Sequence, residues 1–180
     1  MQQRHITRSK RPNVSDLEQK IRDYINIPRI HKIIARDPID FSRLCAALDT
    51  IGDAEEGLRS YIKMRGTQDV GKKYIVIYGV LQLLYVEQDC VNVLHDIFLN
   101  SDAPKVAEID EFRRTRNHAI GHPAPNQRKK QKFPSSQMGR GDLQIDRFSM
   151  LSFKPNGERE HRKIPLKNGL SDNRSCSPKL

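Results

Sequence analysis

The feature that most restricts this chain is the run YIVIYGVLQLLYV at residues 74–86, 13 positions whose only breaks are Gly79 and Gln82. As a helix it is apolar around most of its circumference, and such a helix must be covered on several sides. It is too short to cross a bilayer: the run rises about 20 Å against a hydrocarbon layer of about 30 Å, and Glu87 and Asp89 follow at once. The expectation is the central helix of a bundle, completed by the chain's own helices or by a second subunit. Gly79 would permit close helix approach, and Gln82 needs a buried partner or an interface. Val91, Leu94 and Phe98 continue the run as an amphipathic stretch, giving a helix over 73–100 after a polar loop at 67–72.

Helices are expected on both sides of it. Ser15, with Glu18 at the third position after it, reads as a capping-box start for a helix over 15–26. Pro28 interrupts, and a short helix follows at 30–36. Asp37-Pro38 is an N-cap followed by a proline at the first helical position. Phe41, Leu44, Leu48, Ile51, Leu58 and Ile62 then recur at helical intervals as far as Arg65-Gly66. Asp102 and Pro104 lead a last helix over 104–120, with Val106, Ile109, Phe112 and Ile120 on one face. Residues 148–154 and 158–164 flank Pro155-Asn156-Gly157, a hairpin signal. The reading is an all-α bundle of four to five helices with a small C-terminal β-hairpin appendage. Its parts are a basic disordered arm (1–14), the bundle (15–123), a basic proline-containing linker (124–141), and the hairpin with a basic disordered tail (142–180).

Charge follows the same division. Residues 1–13 carry +4, residues 14–123 carry −2 and residues 124–180 carry +8, which together make the net +10. Basic ends on a nearly neutral body suit a polyanion, through neutralisation of phosphates, and equally suit a solvated tail. Three cysteines, Cys45, Cys90 and Cys176, are too few and too far apart for a disulfide framework. Cys45 and Cys90 sit in apolar stretches as small core residues, and a reducing compartment is expected. The first residues contain no apolar run of the kind a secretory signal needs.

The stretch that can carry chemistry is Arg113-Arg114-Thr115-Arg116-Asn117-His118-Ala119-Ile120-Gly121-His122-Pro123. On an unbroken helix Arg116 and His122 would stand about 120° apart and would not converge. Gly121 and Pro123 end the helix, which releases His122 to fold back towards Arg116 or towards a partner subunit. Arg116 lies four residues from both Phe112 and Ile120, beside the apolar face, where an unpaired charge is expensive. It should have an anionic partner or a phosphate to bind. An imidazole of ordinary pKa, about 6.5, exchanges a proton at neutral pH. Acting on a ribose 2′-OH it would promote attack on the adjacent phosphodiester, with the arginine fork on the phosphate. No cluster of carboxylates, histidines or cysteines has metal-ligand spacing, so no cofactor is expected.

Arg116-Asn117-His118-Ala119-Ile120-Gly121-His122 resembles the Arg-polar-x4-His signature of HEPN domains (higher eukaryotes and prokaryotes nucleotide-binding). The preceding YGVLQLLYVEQDCVNVLHDIF is also similar to such bundles, and the resemblance covers roughly residues 15–123. It implies a homodimeric helical bundle with the motifs of two subunits lining a shared cleft. The activity implied is metal-independent RNA cleavage, often in toxin–antitoxin or antiviral defence systems, with a protein antitoxin or regulator as a further partner. Carried over, Arg116 and His122 are catalytic and Asn117 is the polar orienting position. Arg113, His118, Arg128, Lys129 and Lys130 are candidate RNA contacts. The expected setting is cytoplasmic, with no membrane association. The rival expectation is a HEPN-like module without activity that binds RNA or mediates dimerisation, with Arg116 and His122 in structural roles.

Overall fold

Three of the five α-helices described start at a side chain that satisfies unpaired amides of the first turn. The structure, a computed structural model, describes residues 13–121, 136–153 and 157–167. Helix α1 (Val14–Ile25) is capped by Asn13, not Ser15. The Asn13 side chain accepts from the Asp16 amide at 2.8 Å, and the Asp16 carboxylate accepts from the Asn13 amide at 3.3 Å. This is the reciprocal box two residues upstream of the expected one. Pro28 opens α2 (Pro28–Ile34) rather than only ending α1. Asp37 caps α3 (Pro38–Lys63) as expected, accepting from the amides of Ile39 and Asp40. Asp69 accepts from the Lys72 amide and starts α4 (Val70–Leu99) three residues before the expected position. Helix α5 (Ala107–Arg116) begins after Val106 without a side-chain cap. It passes directly into a π-helical segment, Asn117–Gly121.

Helix α3 buries Leu44, Ala47, Leu48, Ile51, Ala54, Leu58 and Tyr61 along one stripe, and it makes the most extensive helix pairing of the fold, with α4. Their close approach falls at Gly57, where a Cβ would sit 2.6 Å from Leu83 Cδ1. Gly79, the expected site of close approach, has open space where a side chain would project. Among the described residues the apolar run is covered on one side. Ile77, Val80 and Leu81 are buried, whereas Ile75 is 73% and Tyr78 39% exposed. Val106 and Ile109, expected on the inner face of the last helix, are also exposed, while Phe112 and Ile120 pack against the core. Cys90 is buried and reduced, its thiol pushed up by burial.

The β-structure is larger than a hairpin. Strands β1 (Ser136–Met138), β2 (Arg147–Phe153) and β3 (Arg159–Pro165) form an antiparallel sheet in that order. Phe148 stands opposite Ile164, and Leu151 opposite His161. Gly157 takes a positive φ of 84° before β3; Pro155 and Asn156 of the expected turn lie outside the described residues. Strand β1 falls in the stretch read from sequence as linker. The inner face of the sheet enters the main core: Leu143, Phe148, Met150 and Leu166 cluster with Leu58 and Tyr61 of α3 and Ile77, Val80 and Leu81 of α4. The buried Tyr61 hydroxyl donates to the Ile145 carbonyl at 2.6 Å, and burial followed by nearby Asp146 pushes its pKa up. Two further clusters lie along the same helices, Ile25 with Leu44 and Leu48, and Ala47 with Ile51 and Cys90. Among the described residues, no helix is long and apolar enough to cross a membrane.

A shared core makes the sheet and the helices one cooperative unit. Phe148 is 1% exposed, and truncating a fully buried phenylalanine costs about 3–5 kcal/mol. Phe148→Ala is expected to lower the urea midpoint of helix loss, followed by far-UV circular dichroism. A helical transition with the wild-type midpoint would show that the sheet folds apart from the helices.

Candidate functional site

Three side chains of α4 at helical spacing, Gln82, Tyr85 and Asp89, meet two arginines one turn apart on α5. The guanidinium carbon of Arg113 lies 4.2 Å from the centre of the Tyr85 ring, and that of Arg116 lies 4.4 Å from the same ring. A ring quadrupole attracts a cation at these distances. The two arginines differ in what else they touch. Arg113 pairs with the Asp89 carboxylate at 2.8 Å. Arg116 donates to Gln82 Oε1 at 2.7 Å and to its neighbour Asn117 Oδ1 at 3.0 Å, both neutral amides. Its Nε is buried without a hydrogen-bond partner.

The anionic partner expected for Arg116 is thus absent among the described residues, where no carboxylate pairs with it. Tyr85 and the two amides hold the guanidinium in place without cancelling its charge. The partner required by Gln82 is this same arginine, and Gln82 is exposed rather than buried. Asn117 is exposed at the start of the π-helical segment, and His118 is half-buried. The His118 carbonyl accepts from Ser136 Oγ at 2.9 Å, which ties β1 to this segment. Ala119 and Ile120 pack against the main core. Because a π turn closes i to i+5 rather than i to i+4, it offsets the side chains that follow Arg116 from the α-helical register. The last helical turn before the expected stop is a wider π turn that reaches Gly121, and Pro123 lies outside the described residues.

The structure therefore brings Arg113, Arg116 and Asn117 together on one side of the α4–α5 contact. His122, Arg128, Lys129 and Lys130 lie outside the described residues. Tyr85 and Asp89 escape a reading of the sequence because an aromatic in an apolar run resembles core and an acid after it resembles a solvated end. The signal available was their spacing from Gln82, three and seven residues. No group of three or more His, Cys, Asp or Glu side chains suited to holding a metal ion occurs among the described residues. Comparison of the chain with protein-family models, with curated proteins and with solved structures finds no match.

A second charged contact fixes the outer side of α5. Arg162 of β3 donates to Glu111 at 2.5 Å, and Arg114 pairs with the other Glu111 oxygen at 3.1 Å. The Arg162 hydrogen bond, opposed by partial burial, holds the Glu111 carboxyl below the usual carboxylate range. A carboxylate with a lowered folded value stabilises the fold fully above its unfolded value, and that contribution is lost as pH falls through the folded one. The Glu111 carboxyl resonance is expected to titrate below the ordinary range and to move up towards it in Arg162→Ala, where Arg114 remains, read by NMR. An unchanged midpoint would remove Arg162 as the cause.

Proposed function

We propose that the chain is a metal-independent endoribonuclease of the HEPN type. The observation that carries this reading is the Arg116 guanidinium, held by Tyr85, Gln82 and Asn117 and left without a carboxylate partner among the described residues. An arginine fixed in this way is prepared for a phosphate, because its donors form a planar fork and little side-chain freedom remains to be lost on binding. In the reaction, His122 takes the proton of a ribose 2′-OH. The 2′-oxygen attacks phosphorus, the bond to the 5′-oxygen breaks, and a 2′,3′-cyclic phosphate and a 5′-hydroxyl form once that oxygen is protonated. Arg116 stabilises the charge that develops on the phosphoryl oxygens. Asn117 orients the guanidinium through the bond it accepts, and Arg113, His118, Arg128, Lys129 and Lys130 contribute to RNA contact.

The fold class proposed is the HEPN-like bundle, acting as a homodimer. Support for the dimer comes from the side of α4 that no described residue covers, where Ile75 and Tyr78 are exposed beside Gly79. The setting proposed is cytoplasmic, in a toxin–antitoxin or antiviral defence system, with a protein antitoxin or regulator as partner. A second reading, an inactive HEPN-like module that binds RNA or mediates dimerisation, draws on the bonds Arg116 already makes to Gln82 and Asn117.

The test is incubation of the purified chain with RNA in excess EDTA. Cleavage is expected, with rates lower by about 10²–10³ in Arg116→Ala and His122→Ala and native circular dichroism retained. RNA retention without cleavage would assign the module instead.

A further inference from the structure

Among the described residues the outer face of the sheet is closed over at Ser149, which is 2% exposed, and is largely open elsewhere. Side chains alternate across a strand, and the inner set, Phe148, Met150 and Ile164, packs into the main core. The outer set is therefore Arg147, Ser149, Leu151 and Phe153 on β2 and Arg159, His161 and Lys163 on β3, in antiparallel register. Arg147, Arg159, His161 and Lys163 are exposed, and Leu151 and Phe153 are half-buried. Arg159, His161 and Lys163 stand about 6.8 Å apart in a row along one strand. None of Arg147, Arg159 and Lys163 has an ion-pair partner among the described residues. Among the described residues Asp142 reaches this row, 3.9 Å from His161 Nε2, whereas Glu160 has the opposite parity.

Two further details give this face a chemical character. The Arg159 guanidinium carbon lies 5.7 Å from the centre of the Phe153 ring, so a stacking surface and a positive charge stand side by side. At the other end, Arg147 and Lys163 line a recess of about 310 Å³ with Gln144, Ser149, Gly141 and Asp142. Exposed cations beside an aromatic are how a surface tracks a phosphodiester chain while stacking its bases.

We infer that the outer face of the β1–β3 sheet is a docking surface for a single-stranded nucleic acid, with Arg147, Arg159 and Lys163 on phosphates and Phe153 beneath a base. A single strand fits better than a duplex because only an unpaired base offers its face to a ring on a flat sheet. This surface goes beyond the nuclease reading and stands or falls separately from it, since none of its residues belongs to the Arg116 site.

The experiment measures binding of a labelled twelve-nucleotide oligouridylate by fluorescence anisotropy at several salt concentrations. It uses the full chain carrying Arg116→Ala, which slows any cleavage during the measurement. Adding Arg159→Ala and Lys163→Ala is expected to weaken binding about tenfold or more and to reduce the log–log salt slope by about 1 to 1.5, at about 0.7 for each phosphate left without its cation. Phe153→Leu is expected to weaken binding about fivefold or more with the salt slope unchanged, and Phe153→Tyr to restore it. Parental affinity and slope in the paired charge variant would overturn the proposal. So would loss of binding to phosphatidylserine vesicles with oligouridylate binding intact, which would make the face a lipid-surface contact.

Discussion

Where α3 and α4 meet, Leu58 and Tyr61 lie against Ile77, Val80 and Leu81, and two helices alone cannot enclose such a patch. Phe148 and Met150 close it from the sheet, and Leu143 and Leu166 seal it from the segments on either side of β2 and β3. The closure is mostly apolar burial, worth about 2–3 kcal/mol for each large side chain. The Tyr61 hydroxyl buried within it is satisfied by the Ile145 carbonyl. Because the sheet must sit here, β1 is brought beside the π-helical segment, where Ser136 bonds to the His118 carbonyl. The geometry around Arg116 is thereby anchored to the main core at a short remove.

Charge is handled differently on the two sides of α5. Towards α4, Asp89 neutralises Arg113 and leaves Arg116 with amides alone. Towards β3, Glu111 serves both Arg114 and Arg162. Exposed ion pairs of this kind contribute little to stability, so their effect is to fix orientation. The helix presents one guanidinium uncompensated while its other cations are spent on internal pairs.

Much of the helical layout can be read from the chain because the caps are local. Asp37-Pro38 and the α3 stripe depend on residues within a few positions, and the structure follows them. The start of α1 differs because Asn13 and Ser15 both have caps to offer, and the reciprocal bonds with Asp16 favour the former. Strand β1 is illegible for a different reason: Ser-Gln-Met has no branched or aromatic residue, and its placement comes from pairing with β2 and from the bond to His118. The arrangement of Tyr85 is likewise tertiary. A motif at 116–122 points to the arginine, but the ring beneath it lies 31 positions earlier, on a helix whose rotation about its axis only packing decides.

Helix α4 runs through all three apolar clusters as one piece of 30 residues, about 45 Å long. Ile77, Val80, Leu81, Leu83 and Leu84 belong to the cluster closed by the sheet, Cys90 and Val93 to the next, and Ile97 to the one beneath α1 and α2, with Leu94 touching both of the latter. The arginine pair at Gln82 and Tyr85 and the α1–α2 corner at Ile97 are therefore built on one continuous helix, about 22 Å apart along its axis.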